Sequence, residues 1–227
     1  MGKKKKNEQE LTSTQEYVSV LDKNAKNLKD LIAPAGVDAS NLNHLEIIST
    51  RTRYARSMFL ANLPRMCTFP EFLRSMYTFG DINTSVFISP ISESSSQTDL
   101  NRKINELESE RIVARDRGDI NRERVLVQKR LEAEELRDEI AAGFNKLFEA
   151  SVVCTLFAYS VEELDKLTEL LATEMSKNLV GIKSAWAMQE DAFRSNLPLG
   201  ENKINKAHTF DRSSMSTVFP FFSSEVG

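Results

Sequence analysis

Cysteine and histidine are scarce in this chain, with two of each among its 227 residues. Cys67 and Cys154 are too few for a disulfide framework, and their apolar surroundings predict reduced core thiols of a cytosolic protein. His44 and His208 leave little from which to build a metal site. No apolar run reaches the roughly 18–20 residues of a membrane span, and no apolar segment follows the N-terminal lysines as in a secretory signal. These absences argue against a secreted protein, a membrane-spanning protein and a zinc module.

Glycine is also sparse, and none of the eight glycines opens a phosphate-binding loop. Gly181 precedes a lysine and a serine but lacks the earlier glycine of such a loop, so we interpret it as a helix C-cap before a strand. The net charge of −3 argues against a general nucleic-acid binder, and Phe87 and Phe157 have no basic neighbours in the sequence to accompany base stacking. We therefore expect no catalytic, cofactor-binding or metal-binding residue and no direct nucleic-acid site.

The N-terminal region is predicted to be a basic tail followed by a helix. Residues 1–12 are polar and are expected to be disordered; their lysine run either solubilises the chain or attracts it to an acidic membrane surface. Ser13 and Glu16 form a capping-box pattern that opens a helix, which Pro34 ends. One stripe of this helix is apolar and should be buried against the domain or a partner: Val18, Leu21, Ala25, Leu28 and Ile32.

The segments after residue 44 alternate between strand-like and helix-like patterns. β-Branched and aromatic residues predict strands at 45–48, 54–63, 84–91, 147–159 and 182–188. The last of these carries Trp186, which we expect in the core. Helices are predicted at 69–79, from the cap Ser160 to Gly181, and at 189–195.

A highly charged segment interrupts this alternation. After a polar linker at 93–98, residues 99–139 hold 12 acidic and 10 basic side chains, so most of their surface should be solvated. Gly118 and Asp119 are typical of a helix end followed by a new N-cap, which predicts two antiparallel helices. A single long charged helix is the alternative. A narrow apolar seam would join the two helices: Leu100, Ile104 and Leu107 on the first, Val127 and Leu131 on the second.

The order of elements predicts an α+β fold with a ferredoxin-like split βαβ sheet and an N-terminal helix. A long antiparallel helical hairpin, of coiled-coil type, replaces the middle turn as an insertion at 98–143. We expect residues 13–227 to form one domain that ends in a junction segment at 198–227. This segment carries the apolar residues Phe219, Phe221 and Phe222, which should pack against a neighbouring domain.

Several segments, taken in order, resemble a known family. They are Ile32-Ala-Pro-Ala-Gly-Val-Asp38, Tyr54-Ala-Arg56 leading to Leu63-Pro64-Arg65, Phe87-Ile-Ser-Pro-Ile91, Gln189-Glu-Asp-Ala-Phe-Arg-Ser-Asn-Leu-Pro-Leu199, and Ser216-Thr-Val-Phe-Pro-Phe-Phe-Ser-Ser224. From about residue 28 onward the chain is similar to the N-terminal region of the conjugal-transfer ATPases of type IV secretion systems (the TraC/TrbE/CagE-like, VirB-type family). The resemblance is closest to the branch found on Gram-positive mobile elements.

This resemblance implies a parent ATPase that is hexameric, cytoplasmic or peripheral to the cell membrane, and that powers conjugative DNA transfer. ATP and magnesium would belong to a motor domain downstream, so this chain would be a truncated or split product without catalytic residues. The N-terminal domain would dock the motor on channel components at the inner face of the membrane and help subunits associate. The candidate interaction residues are Leu100, Ile104, Leu107, Val127, Leu131, Phe219, Phe221 and Phe222. The alternative is a free-standing coiled-coil adaptor, and a P-loop in the reading frame beyond Gly227 would discriminate the two.

The chain should not bind ATP, because none of its glycines stands in a phosphate-binding loop pattern. Calorimetric titration with Mg-ATP is expected to give only the heat of dilution. A saturable micromolar site would contradict this prediction.

Overall fold

The described residues form one seven-stranded antiparallel sheet and six helices. A computed structural model describes residues 34–49, 51–64, 67 and 72–218. The strands are β1 Gly36–Asp38, β2 Leu45–Ile48, β3 Arg53–Asn62, β4 Ile82–Pro90, β5 Phe148–Ala158, β6 Gly181–Ser184 and β7 His208–Phe210. The helices are α1 Arg74–Thr78, α2 Glu93–Asp116, α3 Ile120–Ala141, α4 Val161–Lys177, α5 Gln189–Ser195 and α6 Arg212–Thr217. The chain therefore has a mixed α/β fold.

Strand β5 lies between β4 and β3, and every strand pair in the sheet is antiparallel. The outer edge of β3 is shared by two strands, since β2 pairs with Arg53–Ala55 and β6 pairs with the part that begins at Met58. Strand β1 extends the sheet beyond β2, and β7 pairs with the first residues of β5. In the path β6-β3-β5-β4, the two strands that flank α1 (β3 and β4) therefore alternate with the two that flank α4 (β5 and β6).

One face of the sheet packs against α4. Leu164 and Leu171 recur on one side of this helix, and both are fully buried in the cluster that holds Val152 and Leu156 of β5. The alternation along β5 sends these strand residues to the same face. Burial of such side chains stabilises the fold by about 1.5–3 kcal/mol each, so this layer is the main apolar core.

The opposite face of the sheet packs against α5. Ala192 of this helix lies in a second buried cluster with Val153 of β5. The Phe193 ring meets the Phe157 ring edge to face at a centroid distance of 6.5 Å. Because both faces of β5 are covered, its residues 150–156 are all buried.

Gln189 fills a gap in the hydrogen bonding of β3. Strand β2 reaches only as far as Ala55, and β6 begins to pair at Met58. Between them the Ser57 N–H donates to Gln189 Oε1 at 2.8 Å, and Gln189 Nε2 donates to the Ser57 carbonyl oxygen at 3.1 Å. The side-chain amide takes the place of a neighbouring strand and satisfies the Ser57 N–H, which would be costly to bury unpaired; the Ser57 carbonyl oxygen also accepts from the Ala185 N–H at 2.9 Å.

Most of the predicted strands and helices are confirmed, with ends shifted by a few residues. Ser160 caps α4 as expected, because its Oγ accepts from the Glu163 N–H at 3.1 Å while Glu163 Oε2 accepts from the Tyr159 N–H at 3.0 Å. The predicted N-terminal helix, the basic tail and the three phenylalanines of the C-terminal segment lie outside the described residues. Among the described residues, none of the helices has the length and apolar character needed to cross a membrane.

The predicted linker at 93–98 is wrong, because α2 already begins at Glu93. Ser92 caps the helix, and its Oγ accepts from the Ser95 N–H at 3.2 Å. A run of serines reads as a linker when taken alone, but serine also favours N-cap positions. The helical insertion is therefore longer at its start than the predicted boundary at residue 98.

The predicted end of α4 at Gly181 is also wrong. The helix ends at Lys177, and Leu179 takes a left-handed conformation with φ of 58° and an exposed side chain. Gly181 instead opens β6, where an added Cβ would lie 3.1 Å from the Asn62 side chain. A side chain at this position would crowd Asn62 of β3, so the glycine suits the close approach of two strands and does not form a helix cap.

Trp186 is not a core residue, contrary to the prediction. Strand β6 stops at Ser184, and the Trp186 side chain is 64% exposed in the turn that follows. Ala187 in that turn has φ of 59°, and its N–H donates to the Leu42 carbonyl oxygen at 2.8 Å. The turn leaves the strand direction, so the alternation that placed Trp186 in the core does not continue.

Replacing Gln189 by alanine should lower the free energy of unfolding by about 1–3 kcal/mol, because it leaves the buried Ser57 N–H without its acceptor. Urea unfolding of the full chain would measure this difference. The matched control is Gln97→Ala, which removes a hydrogen bond of 3.0 Å to Glu93 on the surface of α2 and should cost about 0.2–0.5 kcal/mol. Equal losses for the two variants would contradict the assigned role of Gln189.

Candidate interaction site in the helical hairpin

Helices α2 and α3 form a hairpin between β4 and β5. Gly118 takes a left-handed conformation with φ of 74° at the end of α2, and Asp119 caps α3 by accepting from the Arg122 N–H at 3.0 Å. The prediction of two helices joined at Gly118 and Asp119 is confirmed, and the single long helix is excluded. Glycine suits this turn because a side chain would be strained at that φ.

Ion pairs across the hairpin show that its helices run antiparallel. Arg122 of α3 pairs with Glu110 of α2 at 3.5 Å, and Arg130, further along α3, pairs with Glu108, earlier on α2, at 3.7 Å. As the residue number rises along α3, the number of the partner residue on α2 falls. These pairs fix the register of two helices whose remaining surface is mostly charged.

The apolar part of the seam is short. Leu107, Ala114 and Leu126 form its buried cluster. Of the predicted seam residues, Leu107 is buried, whereas Leu100, Ile104 and Val127 are half-buried. Ion pairs between the helices, such as Arg111–Glu123 and Arg130–Glu108, supplement this small apolar seam.

Leu131 does not belong to the seam, and its placement there was wrong. Its side chain is 48% exposed. On α3 the residues that face α2 follow the spacing of Leu126, Arg130 and Ala133, so Leu131 lies about 100° around the helix from Arg130. Leu131 has nearly the spacing of a seam residue, but Arg130 occupies the position that faces α2.

Arg111 and Glu108 form the strongest ionic contact of the hairpin. Two guanidinium nitrogens of Arg111 donate to the two carboxylate oxygens of Glu108, at 2.9 and 2.7 Å, and a third contact reaches Glu123 at 3.3 Å. The hydrogen bonds from Arg111, assisted by the charge of Arg130, lower the pKa of Glu108. The bidentate pair lies within α2 and is geometrically specific, so it orients Arg111, whose contact to Glu123 joins α2 to α3.

The hairpin joins the sheet at its base. Ser96 of α2 and Ile140 of α3 are buried there, and the Ile91 N–H donates to the Leu147 carbonyl oxygen at 3.0 Å. At the other end, four β-branched side chains near Gly118 are 41–62% exposed; we call Ile112, Val113, Ile120 and Val125 the turn residues. Sequence reasoning missed them, although apolar residues at non-seam positions of a charged helix were a visible signal.

The segment Gln189–Leu199, which carries much of the family resemblance, has a structural role here. Gln189 completes the hydrogen bonding of β3, and Ala192 and Phe193 pack on β5. Ser195 Oγ accepts from the Lys203 N–H at 2.9 Å and so holds the following loop. These positions determine the fold around α5.

Two arginines, one on β3 and one just before it, lie over aromatic rings at the end of β5 and directly after it. The guanidinium carbon of Arg53 lies 4.8 Å from the Phe157 ring centroid, and that of Arg51 lies 3.6 Å from the Tyr159 ring centroid. The expectation that Phe157 lacks a basic neighbour is therefore wrong, since strand pairing supplies one from another segment. Arg53 is also paired with Asp81, which neutralises its charge within the domain.

Both cysteines are buried and free, as predicted for core thiols. Burial raises the pKa of Cys154 to about 12, and burial together with the charge of Asp211 raises the pKa of Cys67. Such thiols stay protonated at neutral pH. His208 contacts a backbone carbonyl oxygen of β3 at 3.0 Å, and His44 packs edge-on against a tyrosine ring. In the described part of the chain, no three His, Cys, Asp or Glu side chains come together as metal ligands would.

Of the candidate interaction residues, the five in the hairpin can be placed, whereas Phe219, Phe221 and Phe222 lie outside the described residues. The last described residue, Val218, is buried, and its carbonyl oxygen accepts from the Tyr77 hydroxyl at 2.9 Å. No protein-family model matches the chain, and no curated protein matches it either.

The Glu108 carboxyl should titrate below its usual pKa of 4.5 because Arg111 hydrogen-bonds to its charged form. A folded-state pKa below the unfolded value means that this contact stabilises the hairpin above about pH 4.5. The stabilisation is lost as the pH falls through the folded-state value. Carboxyl-carbon NMR titration of the full chain would measure the pKa directly.

Arg111→Gln should raise the Glu108 pKa towards its usual value. The matched control, Arg102→Gln, removes an exposed contact of 3.2 Å to Asp99 and should leave the Glu108 pKa unchanged. An unshifted pKa in Arg111→Gln would show that this arginine does not hold the carboxylate.

Proposed function

We propose that this chain is a non-catalytic docking and assembly domain of a type IV secretion ATPase, the motor class that drives conjugative DNA transfer. In this proposal the sheet is a ferredoxin-like platform and the hairpin is its coiled-coil insertion. The hairpin contacts channel components at the inner face of the cell membrane, and the domain also associates with further copies of itself. ATP and magnesium belong to the motor domain of the parent and not to this chain.

The observation that carries this proposal is the construction of the hairpin. Its helices hold each other through a short apolar cluster and bridging ion pairs, and they join the sheet at one end only. The main core lies in the sheet and α4, so the hairpin contributes little to it. An arm of this kind, with exposed apolar residues at its far end, suits contact with another protein.

The strand order supports the platform part of the proposal. The antiparallel path β6-β3-β5-β4 corresponds to the order 4-1-3-2 that a split βαβ sheet produces. In the segment that carries much of the resemblance to the ATPase family, Gln189, Ala192 and Phe193 are determinants of this fold.

Replacing residues 99–139 by a short Gly/Ser linker should leave a cooperative thermal transition, because the main core does not include the seam. In donor cells that express the channel proteins, the wild-type chain should sediment with the membrane fraction and the deleted chain should not. DNA transfer by the parent motor should fall to background with the same deletion.

A double variant of the turn residues, Ile120→Ser with Val125→Ser, should lose membrane association without a change in melting temperature. Leu131→Ser is the matched control, since it removes an exposed apolar side chain of the same hairpin away from the turn. Membrane association that is the same with and without the channel proteins would contradict the docking role and favour a free-standing adaptor. A deleted chain that melts without cooperativity would show that the hairpin belongs to the core.

A further inference from the structure

Among the described strands, none pairs with the outer edge of β4, which is nine residues long and which we call the β4 edge. The Phe157 N–H donates to the Asp81 carbonyl oxygen at 3.1 Å and the Ile91 N–H donates to the Leu147 carbonyl oxygen at 3.0 Å, which sets the hydrogen-bonding register with β5. By the alternation of an antiparallel ladder, the odd-numbered residues of β4 bond to β5 and the even-numbered ones point their backbone groups outward. Within the described residues, none of the outward N–H groups has a hydrogen-bond partner. These groups belong to Ile82, Thr84, Val86 and Ile88.

The other open strands carry features that discourage pairing, and β4 carries none of them. Strand β1 is three residues long and contains Asp38, while β6 is four residues long and contains Lys183. Short length and charge are the usual protections of a sheet edge. Strand β4 has no charged residue, no bulge in its register, and its single proline, Pro90, only at the end.

We propose that the β4 edge is the surface through which two copies of this chain associate, in an antiparallel pairing that joins their sheets. A two-fold axis at Ser85 would place Ile82 opposite Ile88 of the second copy, and Thr84 opposite its Val86. This register uses all four outward N–H groups and leaves out Pro90, which has none. Each hydrogen-bonded pair exchanges two bonds, so about eight backbone hydrogen bonds would form.

The side chains of β4 suit pairing with a second copy of the same strand. All four outward-bonding residues are β-branched, and cross-strand pairs of such residues stabilise sheets. Because the strand is uncharged, two copies meet without opposing like charges. The two-fold pairing uses the same edge on both chains and closes on itself, which gives a dimer and not a fibre.

This inference rests on the self-association included in the proposed function and names the surface that performs it. One strand pair, about 30 Å long at 3.3 Å per residue, is a small interface, so we expect a concentration-dependent dimer. Sedimentation of the wild-type chain at high micromolar concentration should approach twice the monomer mass of 25.7 kDa.

Charge substitutions at the axis test the pairing directly. Ser85→Lys and Ser85→Glu each place like charges opposite one another across the two-fold axis, so each variant alone should sediment as a monomer. An equimolar mixture of the two should regain the dimer mass. Thr209→Lys, an exposed position on β7, is the matched control and should remain a dimer.

Amide hydrogen exchange gives a second readout that needs no variant. The outward N–H groups, such as that of Val86, should become protected as the wild-type concentration rises, whereas β1 should not. A wild-type chain that stays monomeric, a Ser85→Lys variant that stays dimeric, or a mixture that stays monomeric would each overturn the proposal.

The hairpin deletion separates this inference from the docking role. It leaves β4 intact, so the deleted chain should still dimerise even though it no longer sediments with membranes. Loss of the dimer on hairpin deletion would overturn the β4 assignment, whereas retained membrane association would contradict only the docking role.

Discussion

Strand β5 pairs with β4 along one edge and with β3 and β7 along the other, and its middle residues are buried on both faces. Every other layer is positioned relative to it. Helix α4 covers one face through Leu164 and Leu171, and α5 covers the other through Ala192. The hairpin forms the connection from β4 to β5. The backbone N–H and C=O groups of a strand buried in this way must be paired with its neighbours. Small changes in the pairing of β5 would therefore move both helical layers.

The sheet and the hairpin are stabilised by different kinds of contact. The sheet and α4 bury the apolar residues, and Gln189 satisfies the one stretch of β3 that no strand covers. The hairpin relies on a short cluster and on pairs between its helices such as Arg111–Glu123, which depend on charge and therefore on salt and pH. An element that contributes little to the core can change its contacts without unfolding the domain. That separation is what a docking arm requires.

Local signals in the sequence were sufficient where the structure depends on neighbouring residues. Ser160 and Glu163 cap α4, and Gly118 with Asp119 ends one helix and starts the next, because these contacts span only a few residues. Local signals failed where a distant segment decides the outcome. Trp186 follows a strand pattern but lies in a turn bound to Leu42, and Phe157 gains Arg53 from another strand.

The sequence by itself determined most of the strands and helices in order, though not β1, β7 or α6, and also the existence of the hairpin and the burial of both cysteines, since apolar periodicity and capping residues act locally. Only the tertiary structure decided which residues form the hairpin seam, where Arg130 and not Leu131 faces the partner helix. It also decided that Gln189 completes β3 and that β4 keeps an open edge. Such features depend on strand pairing between segments far apart in the chain, and no local pattern records which edge remains free.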